Sequence, residues 1–180
     1  PTTTMMPTTT MMPTTTMMPK LIIPATGSYS ISPIVNGYIY YTFTGSGAAT
    51  KKATIQAWAY WWKGYAYSRI GSTYYAGIIQ NQPTDAVLTN GKYVSKEAII
   101  AEASSNFDKA VTALGSASST ADYTAMLGKL IPAYLQKGKG GILTTDMWKR
   151  NINTMKARNI LVNTLKSSMT ASQWTSVLTL

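Results

Sequence analysis

The sequence predicts a mainly α-helical protein: a helical bundle with one long basic, aromatic helix, preceded by an extended N-terminal arm. Three observations support this fold class. Residues 50–80 contain neither a proline nor an acidic residue, which favours one uninterrupted helix. Residues 95–180 carry repeated helix-start signals and apolar residues spaced three or four apart. Residues 1–18 are three copies of PTTTMM, and a proline every six residues excludes a regular helix there.

Composition limits the partners and the chemistry. The 180 residues include 16 basic and 6 acidic side chains, giving a net charge of +10 and a pI near 9.8. Such a balance predicts an anionic partner, either nucleic acid, acidic lipid or an acidic polymer. The basic residues concentrate in 51–69 and 137–166, on either side of a slightly acidic stretch at 85–122. We therefore expect one binding side and one outward side.

The sequence predicts no active site and no cofactor. It has no cysteine and no histidine, which excludes disulfides, thiolate metal sites and the commonest general base. Its six carboxylates match no metal-binding loop, and we predict that the protein is not an enzyme. No apolar stretch reaches the ~18 residues of a transmembrane helix, and the first residues lack the pattern of a signal peptide.

We divide the chain into an arm at 1–20, an extended or hairpin segment with a glycine hinge at 21–49, and a helical domain at 50–180. The arm is either a disordered tail or, as we favour, a segment that becomes ordered along a neighbouring subunit. Its methionines offer adaptable apolar contacts, and its threonines offer hydrogen bonds. In the next segment, Asn36-Gly37 predicts a short hairpin at 31–44. The alternative there is an extended segment wrapped on a partner.

The long helix is predicted to begin at an N-cap at Thr50 and to end before Pro83. Winding it at 3.6 residues per turn sorts its side chains into three faces. One face alternates cations with hydroxyl-bearing rings, and we predict that it contacts a polyanion, because both groups bond phosphate and are poor core residues. This face consists of Lys52, Gln56, Tyr60, Lys63, Tyr67 and Tyr74.

The other two faces of the long helix carry bulky and small side chains respectively. The bulky face, predicted to be the core side, consists of Ile55, Trp58, Trp62, Tyr65 and Arg69. The small face consists of Ala53, Ala57, Gly64, Ser68 and Gly71. Each glycine destabilises a helix by about 0.8–1.0 kcal/mol relative to alanine. This predicts that another backbone approaches closely, from either a helix or a nucleic acid.

Four more helical segments follow a predicted loop at 81–94. The second helix is predicted from a cap at Ser95 to about 114, and the third from 120 to about 136, kinked or split by Pro132. The fourth is predicted at 145–168, and Thr170 with Gln173 forms a capping box that opens a short fifth helix. The basic connector at 137–141 lacks the preceding strand and the spacing of a phosphate-binding loop.

The arm and hinge through Gly47, the helix KKATIQAWAYWWKGYAYSRIG and the helices from Ser95 onward together resemble one group of proteins. The combination is similar to the major coat (capsid) proteins of archaeal filamentous and rod-shaped viruses, the lipothrixvirus and rudivirus group. This resemblance implies a helical coat domain and a structural protein of the virion that packages linear double-stranded DNA in A-form. It also implies a subunit that dimerises, often as a heterodimer with a paralogous coat protein, and dimers that stack into a helical filament, which in lipothrixviruses lies inside a membrane envelope.

The resemblance also implies which residues touch DNA. Phosphate contacts would be made by Lys51, Lys52, Lys63 and Arg69, with Lys149, Arg150 and Lys156 as second choices and the hydroxyls of Tyr60 and Tyr67 in addition. Such contacts carry no base-sequence information. The small residues Gly64, Ser68 and Gly71 would let the helix backbone pass close to DNA or to a partner subunit.

Three other classes of protein compete with this hypothesis. The main alternative is an extracellular filament or pilus subunit that polymerises through its extended arm, without nucleic acid. The others are an architectural DNA-binding protein that does not assemble, and a membrane-surface protein anchored by the Trp/Lys helix. A predominantly helical fold counts against the first of these, because strand insertion needs a sheet with an open edge.

Overall fold

The computed structural model describes residues 29–31, 41–43, 45, 47–81, 92–136, 138 and 140–180. The predicted arm at 1–20 and the predicted turn at Asn36-Gly37 lie outside these residues. The helices are α1 (Ala48–Thr73), α2 (Lys96–Gly115), α3 (Thr120–Leu130), α4 (Thr145–Asn163) and α5 (Ala171–Thr179), with short 3-10 turns at Ala133–Gln136 and Lys166–Ser168. The strands are β1 (Tyr29–Ile31), β2 (Tyr41–Phe43), β3 (Ala76–Ile78) and β4 (Tyr93–Ser95). The predicted mainly α-helical fold is confirmed.

Helix α1 packs along α2 through its small residues. A Cβ atom on Gly64 would lie 2.8 Å from the Phe107 ring and 3.1 Å from the Ala103 carbonyl oxygen, and Gly71 is equally close to Ile100 of α2. The glycine face is therefore the core side of α1, because only small side chains let two helix backbones come this close. The bulky face, predicted to be the core side, is only partly buried, since Trp58 packs against core residues and Arg69 is exposed. Trp62 on that face is 46% exposed.

The main core lies where α1, α2, α3 and α4 meet. Its largest fully buried members are Phe107 and Leu114 of α2, Leu127 of α3 and Ile152 of α4. A smaller second cluster joins Tyr67 of α1 to Ile99 and Ala103 of α2, with Ile70, Ile79 and Val94 packed against it. The second cluster forms because β3 and β4 fold back over the C-terminal half of α1.

The start of α1 differs from the prediction. Gly47 is the N-cap, with a φ of 74° that disfavours any side chain, and Thr50 lies inside the first turn and is 2% exposed. The Asp122 carboxylate of α3 lies against Gly47 and 3.5 Å from the Lys51 ammonium group. A carboxylate at this position complements the positive end of the α1 dipole. The acidic group at the N-terminal end of α1 is therefore supplied by another helix. The sequence around the start of α1 does not reveal this contact.

The Thr50 hydroxyl joins α1 to the start of α3 by accepting a hydrogen bond of 3.1 Å from the backbone N–H of Ser119. We expect Thr50→Val to lower the free energy of unfolding by about 1–2 kcal/mol, because the Ser119 N–H then loses its acceptor in a part-buried position. Urea unfolding followed by circular dichroism measures this loss. Thr112→Val, at an exposed hydroxyl on α2, is the matched control, and an equal loss in both variants would contradict the assignment.

The end of α1 was also predicted wrongly. The helix stops at Thr73, and residues 76–78 pair antiparallel with residues 93–95 instead of continuing the helix to residue 80. The Tyr67 hydroxyl holds the chain in this turn, because it accepts from the Gln80 N–H at 2.9 Å and donates to the Gln80 carbonyl at 3.0 Å. A side chain thirteen residues earlier therefore fixes the path of the chain after α1.

The other helix boundaries follow their local signals closely. Ser95, Ser119 and Thr144 each accept a hydrogen bond from the backbone of the first turn that follows. The predicted capping box of Thr170 and Gln173 is confirmed. Pro132 splits the third segment as expected, since α3 ends at Leu130. Helix α4 ends at Asn163, earlier than the predicted residue 168.

Strands β1 and β2 pair antiparallel, with Tyr29 opposite Phe43 and Ile31 opposite Tyr41. They lie on either side of the predicted turn and agree with a hairpin in place of a fully extended segment. None of the described helices is both long enough and apolar enough to cross a membrane.

Candidate nucleic-acid interface

One side of α1 faces solvent along its whole length. Helices α2 and α4 cover two other sides of α1. The exposed residues of α1 recur every three or four positions, as one face of a helix requires. They are Ala49, Lys52, Gln56, Ala59, Trp62, Ala66, Arg69 and Thr73. We call this stripe the outward face. It combines two cations and one large aromatic ring with alanines that leave the helix backbone accessible.

The cations of the outward face form an extended positive line. Lys52 and Arg69 are exposed and Lys63, at the edge of the face, is half-buried. At about 1.5 Å per residue, the line from Lys52 to Arg69 is roughly 25 Å long. The sequence of α1 contains no acidic residue that would neutralise it. Since duplex DNA carries one charge per ~1.7 Å of its axis, a line of this length faces many phosphates.

Acidic side chains elsewhere in the described residues are already engaged. Glu102 accepts hydrogen bonds from Asn81 and Asn106, at 3.1 and 2.7 Å. The other four form ion pairs, which are Glu97 with Lys96, Asp108 with Lys156, Asp122 with Lys51 and Asp146 with Lys149. These pairs engage lysines that are not on the outward face, and none of the five described carboxylates is paired with Lys52, Lys63 or Arg69.

Three lysines proposed as phosphate ligands therefore have partners within the subunit. Lys156 lies 2.8 Å from the Asp108 carboxylate and Lys51 lies 3.5 Å from Asp122, with side chains 24% and 20% exposed. Lys149 makes a looser, more exposed pair with Asp146 at 3.7 Å. We withdraw Lys51 and Lys156 from the interface, since binding phosphate would require each to leave its carboxylate. Arg150 is exposed on α4, apart from the outward face.

The two tyrosines of the proposed interface have different environments. Tyr67 is 7% exposed and its hydroxyl is bonded to the Gln80 backbone, so the prediction that it contacts phosphate does not fit the structure. Tyr60 is half-buried beside the main core and lines a groove of about 700 Å³ between α1 and α2. Tyr60 lies next to the outward face and stays a candidate. Tyr74 lies beyond the end of α1 and is 62% exposed.

The close-approach face of α1 is occupied by the protein itself. Gly64 and Gly71 contact α2. Ser68 donates to the Gly64 carbonyl and accepts a 2.8 Å hydrogen bond from Asn159 of α4. The expectation that another backbone approaches here is correct for a helix of the same subunit. The expectation that DNA or a partner subunit approaches at Gly64, Ser68 and Gly71 is wrong.

Aromatic rings line the seam between α1 and α4. Trp61 stacks on Tyr65 with centroids 5.5 Å apart, and its indole N–H donates to the Asn151 side chain of α4 at 2.9 Å. Trp62 contacts Trp61 and Trp58 edge to face, at 5.0 and 5.6 Å. Trp58 contacts the buried Trp148 at 6.1 Å. The rings therefore fix α4 against α1 and hold the exposed Trp62 rigidly on the outward face. Helix spacing alone groups Trp58, Trp62 and Tyr65 on one face of α1 but does not reveal their contact with α4.

Two titratable groups outside the outward face are clearly perturbed. Hydrogen bonds from its own backbone N–H and from the Ser95 hydroxyl lower the pKa of Glu97, at the start of α2. Burial raises the pKa of Tyr123 in the main core. Within the described residues, no cluster of three or more acidic side chains is arranged to hold a metal ion.

No protein-family model, curated protein or solved structure matches the chain.

Proposed function

We propose that the protein is a structural coat subunit that binds linear double-stranded DNA without sequence preference and assembles with copies of itself into a helical filament, as a major coat (capsid) protein of a virion. The observation that carries this proposal is the outward face of α1, a positive line roughly 25 Å long on a helix without an acid. Lysine and arginine contacts to phosphate supply affinity for any duplex sequence.

The ion pairs elsewhere in the subunit support DNA binding at the outward face. The carboxylates of Asp108, Asp122 and Asp146 are each paired with a lysine that does not belong to the outward face. Within the described residues, no carboxylate is paired with a cation of the outward face. The resemblance to archaeal virus coat proteins extends the proposal to A-form DNA, to pairing with a paralogous coat protein and to a membrane envelope around the filament.

Replacing Lys52 and Lys63 with glutamine tests the interface. We expect the slope of log affinity against log salt to become shallower by about 1.8, since each phosphate contact contributes about 0.9. The affinity at low salt should fall about tenfold or more. Fluorescence anisotropy with a labelled duplex of arbitrary sequence, measured across a salt series, gives both quantities.

A charge-matched control separates a local contact from the effect of net charge. Lys96→Gln with Lys156→Gln removes the same number of charges from two lysines that lie outside the outward face and already have carboxylate partners. This variant should keep the wild-type salt slope. If both double variants lose affinity equally, binding follows net charge and the outward face is not the interface. An unchanged slope for the Lys52/Lys63 variant would exclude those residues from the contact.

The second candidate function is a filament subunit that contains no nucleic acid. It is favoured by large apolar side chains that are exposed to solvent. Tyr75, Leu165 and Leu178 are 88%, 76% and 83% exposed, which is typical of surfaces that contact other proteins. Nuclease treatment of the assembly, followed by electron microscopy and phosphate analysis, separates the two candidates. Protected nucleic acid inside the filament supports the coat subunit, and a filament free of phosphate supports the alternative.

A further inference from the structure

The C-terminal ends of α1 and α4 enclose a surface groove of about 610 Å³ that the proposed DNA contacts do not use. Its apolar lining comes from two tyrosines that follow α1 and from three aliphatic residues at the end of α4. They are Tyr74, Tyr75, Leu161, Val162 and Leu165, and they are exposed by 62%, 88%, 46%, 53% and 76%. Five large apolar side chains gathered in one groove indicate an interaction surface.

The polar groups of this groove are uncharged or positive. Asn163 donates to the Ser72 hydroxyl at 3.1 Å and joins α1 to α4 beneath the groove. The other polar lining residues described are serine, threonine and lysine, with no carboxylate among them. The groove therefore suits an extended segment that carries apolar and hydroxyl side chains and has no positive charge of its own.

We propose that this groove binds the PTTTMM repeat, residues 1–19, of a second copy of the chain. The repeat consists of proline, threonine and methionine and has no charged side chain. Each chain carries a net charge of +10, so copies repel one another wherever charged surfaces meet. An uncharged segment is the part of one copy that can lie on another without this repulsion.

The repeat length is a whole number of turns of a polyproline II helix. A polyproline II helix has three residues per turn and rises about 3.1 Å per residue, so six residues make two full turns. In that conformation Pro1, Pro7 and Pro13 fall on one side, about 19 Å apart. Aromatic grooves recognise proline-containing segments in this conformation at low entropic cost. Tyr74 and Tyr75 supply the rings, and the adaptable methionines fit against the aliphatic residues.

The chain is long enough to reach a neighbour. Residues 1–28 precede β1, and at about 3.3 Å per residue they extend up to roughly 90 Å. Helix α1 is about 39 Å long, so the segment can extend well past its own helical domain. The inference does not depend on DNA binding, and its test needs no nucleic acid.

Engineered cysteines test the contact in the full-length protein, because the natural chain has none. One variant carries Thr9→Cys in the repeat, and a second carries Leu165→Cys at the groove. The two are mixed in equal amounts and oxidised. We expect a disulfide-linked heterodimer in at least about tenfold higher yield than with a control cysteine, because docking raises the local thiol concentration. The control is Thr124→Cys, an exposed position on α3.

Two outcomes would overturn the inference. Equal heterodimer yields for Leu165→Cys and Thr124→Cys would show that the repeat does not dock at the groove. A chain carrying both Thr9→Cys and Leu165→Cys, diluted into cysteine-free protein, tests for docking within one chain. If only this internal link forms, the occupant is the same copy and not a second one. Failure of the Lys52/Lys63 test, in contrast, would leave this result untouched.

Discussion

Gly64→Val is expected to lower the free energy of unfolding by about 3 kcal/mol. A Cβ atom at residue 64 would lie 2.8 Å from the Phe107 ring and 3.1 Å from the Ala103 carbonyl oxygen. Phe107 is fully buried in the main core and the carbonyl is part of the α2 backbone, so neither moves freely. Overpacking a rigid site typically destabilises by about 1–3 kcal/mol, and backbone contact places this site at the upper end. Urea unfolding monitored by circular dichroism measures the change.

Gly115→Ala is the matched control for Gly64→Val. Gly115 is the last residue of α2, and a Cβ added there meets no atom within 4 Å. The added methyl group should leave stability unchanged or raise it by up to about 1 kcal/mol, through better helix propensity. If Gly64→Val unfolds at the same urea concentration as the wild type, α1 and α2 are not in close contact and the helix packing described above is incorrect.

The identity of the core face of α1 shows what periodicity can and cannot decide. Spacing grouped Gly64, Ser68 and Gly71 correctly on one side of the helix. Side-chain size then pointed to the tryptophan face as the core, because bulky apolar residues are usually buried. The structure buries the glycine face, since close contact with α2 buries more of both helices. Local patterns define faces, but the partner helix decides which face is covered.

Helix ends were predictable wherever the stabilising group is local. The caps at Ser95 and Ser119 and the capping box at Thr170 involve neighbours three residues away, and all three are present. The ends of α1 depend on distant groups. Asp122 contacts Gly47 at its start, and Tyr67 holds Gln80 after its end. No signal near Thr50 or Gln80 identifies these partners.

The residues of the candidate interface also fall into two groups, those placed by local helix spacing and those decided by contacts between distant parts of the chain. The outward orientation of Lys52 followed from helix spacing, whereas spacing grouped Arg69 with the face predicted to be the core side, and the structure exposes it. The exclusion of Lys156 and Tyr67 depends on groups that folding brings together, with Asp108 lying 48 positions before Lys156. The seam of aromatic rings was visible in part, because Trp58, Trp62 and Tyr65 are spaced three and four apart. Their partner Trp148 lies on α4, beyond the reach of local patterns.

Alkaline pH should destabilise the protein through Tyr123. This residue is 2% exposed, and its hydroxyl donates a 2.9 Å hydrogen bond to the Leu143 carbonyl. In the folded state, burial raises the pKa of the Tyr123 hydroxyl well above the usual tyrosine value near 10. Above pH ~10 the unfolded chain releases this proton while the native protein keeps it, so the unfolded state binds fewer protons. The free energy of unfolding should then fall by up to about 1.4 kcal/mol per pH unit.

Tyr123→Phe isolates this contribution, because the two proteins differ only in this hydroxyl group. At neutral pH the variant should be about 1 kcal/mol less stable, since the Leu143 carbonyl loses its donor. By about pH 11.5 the wild type should have lost roughly 2 kcal/mol more than the variant, so the two stability curves cross. Urea unfolding across the pH series measures both curves. Tyr75→Phe, at a ring that is 88% exposed, should follow the wild type throughout. Parallel curves for the wild type and Tyr123→Phe would show that Tyr123 releases its proton equally easily in the native and unfolded states.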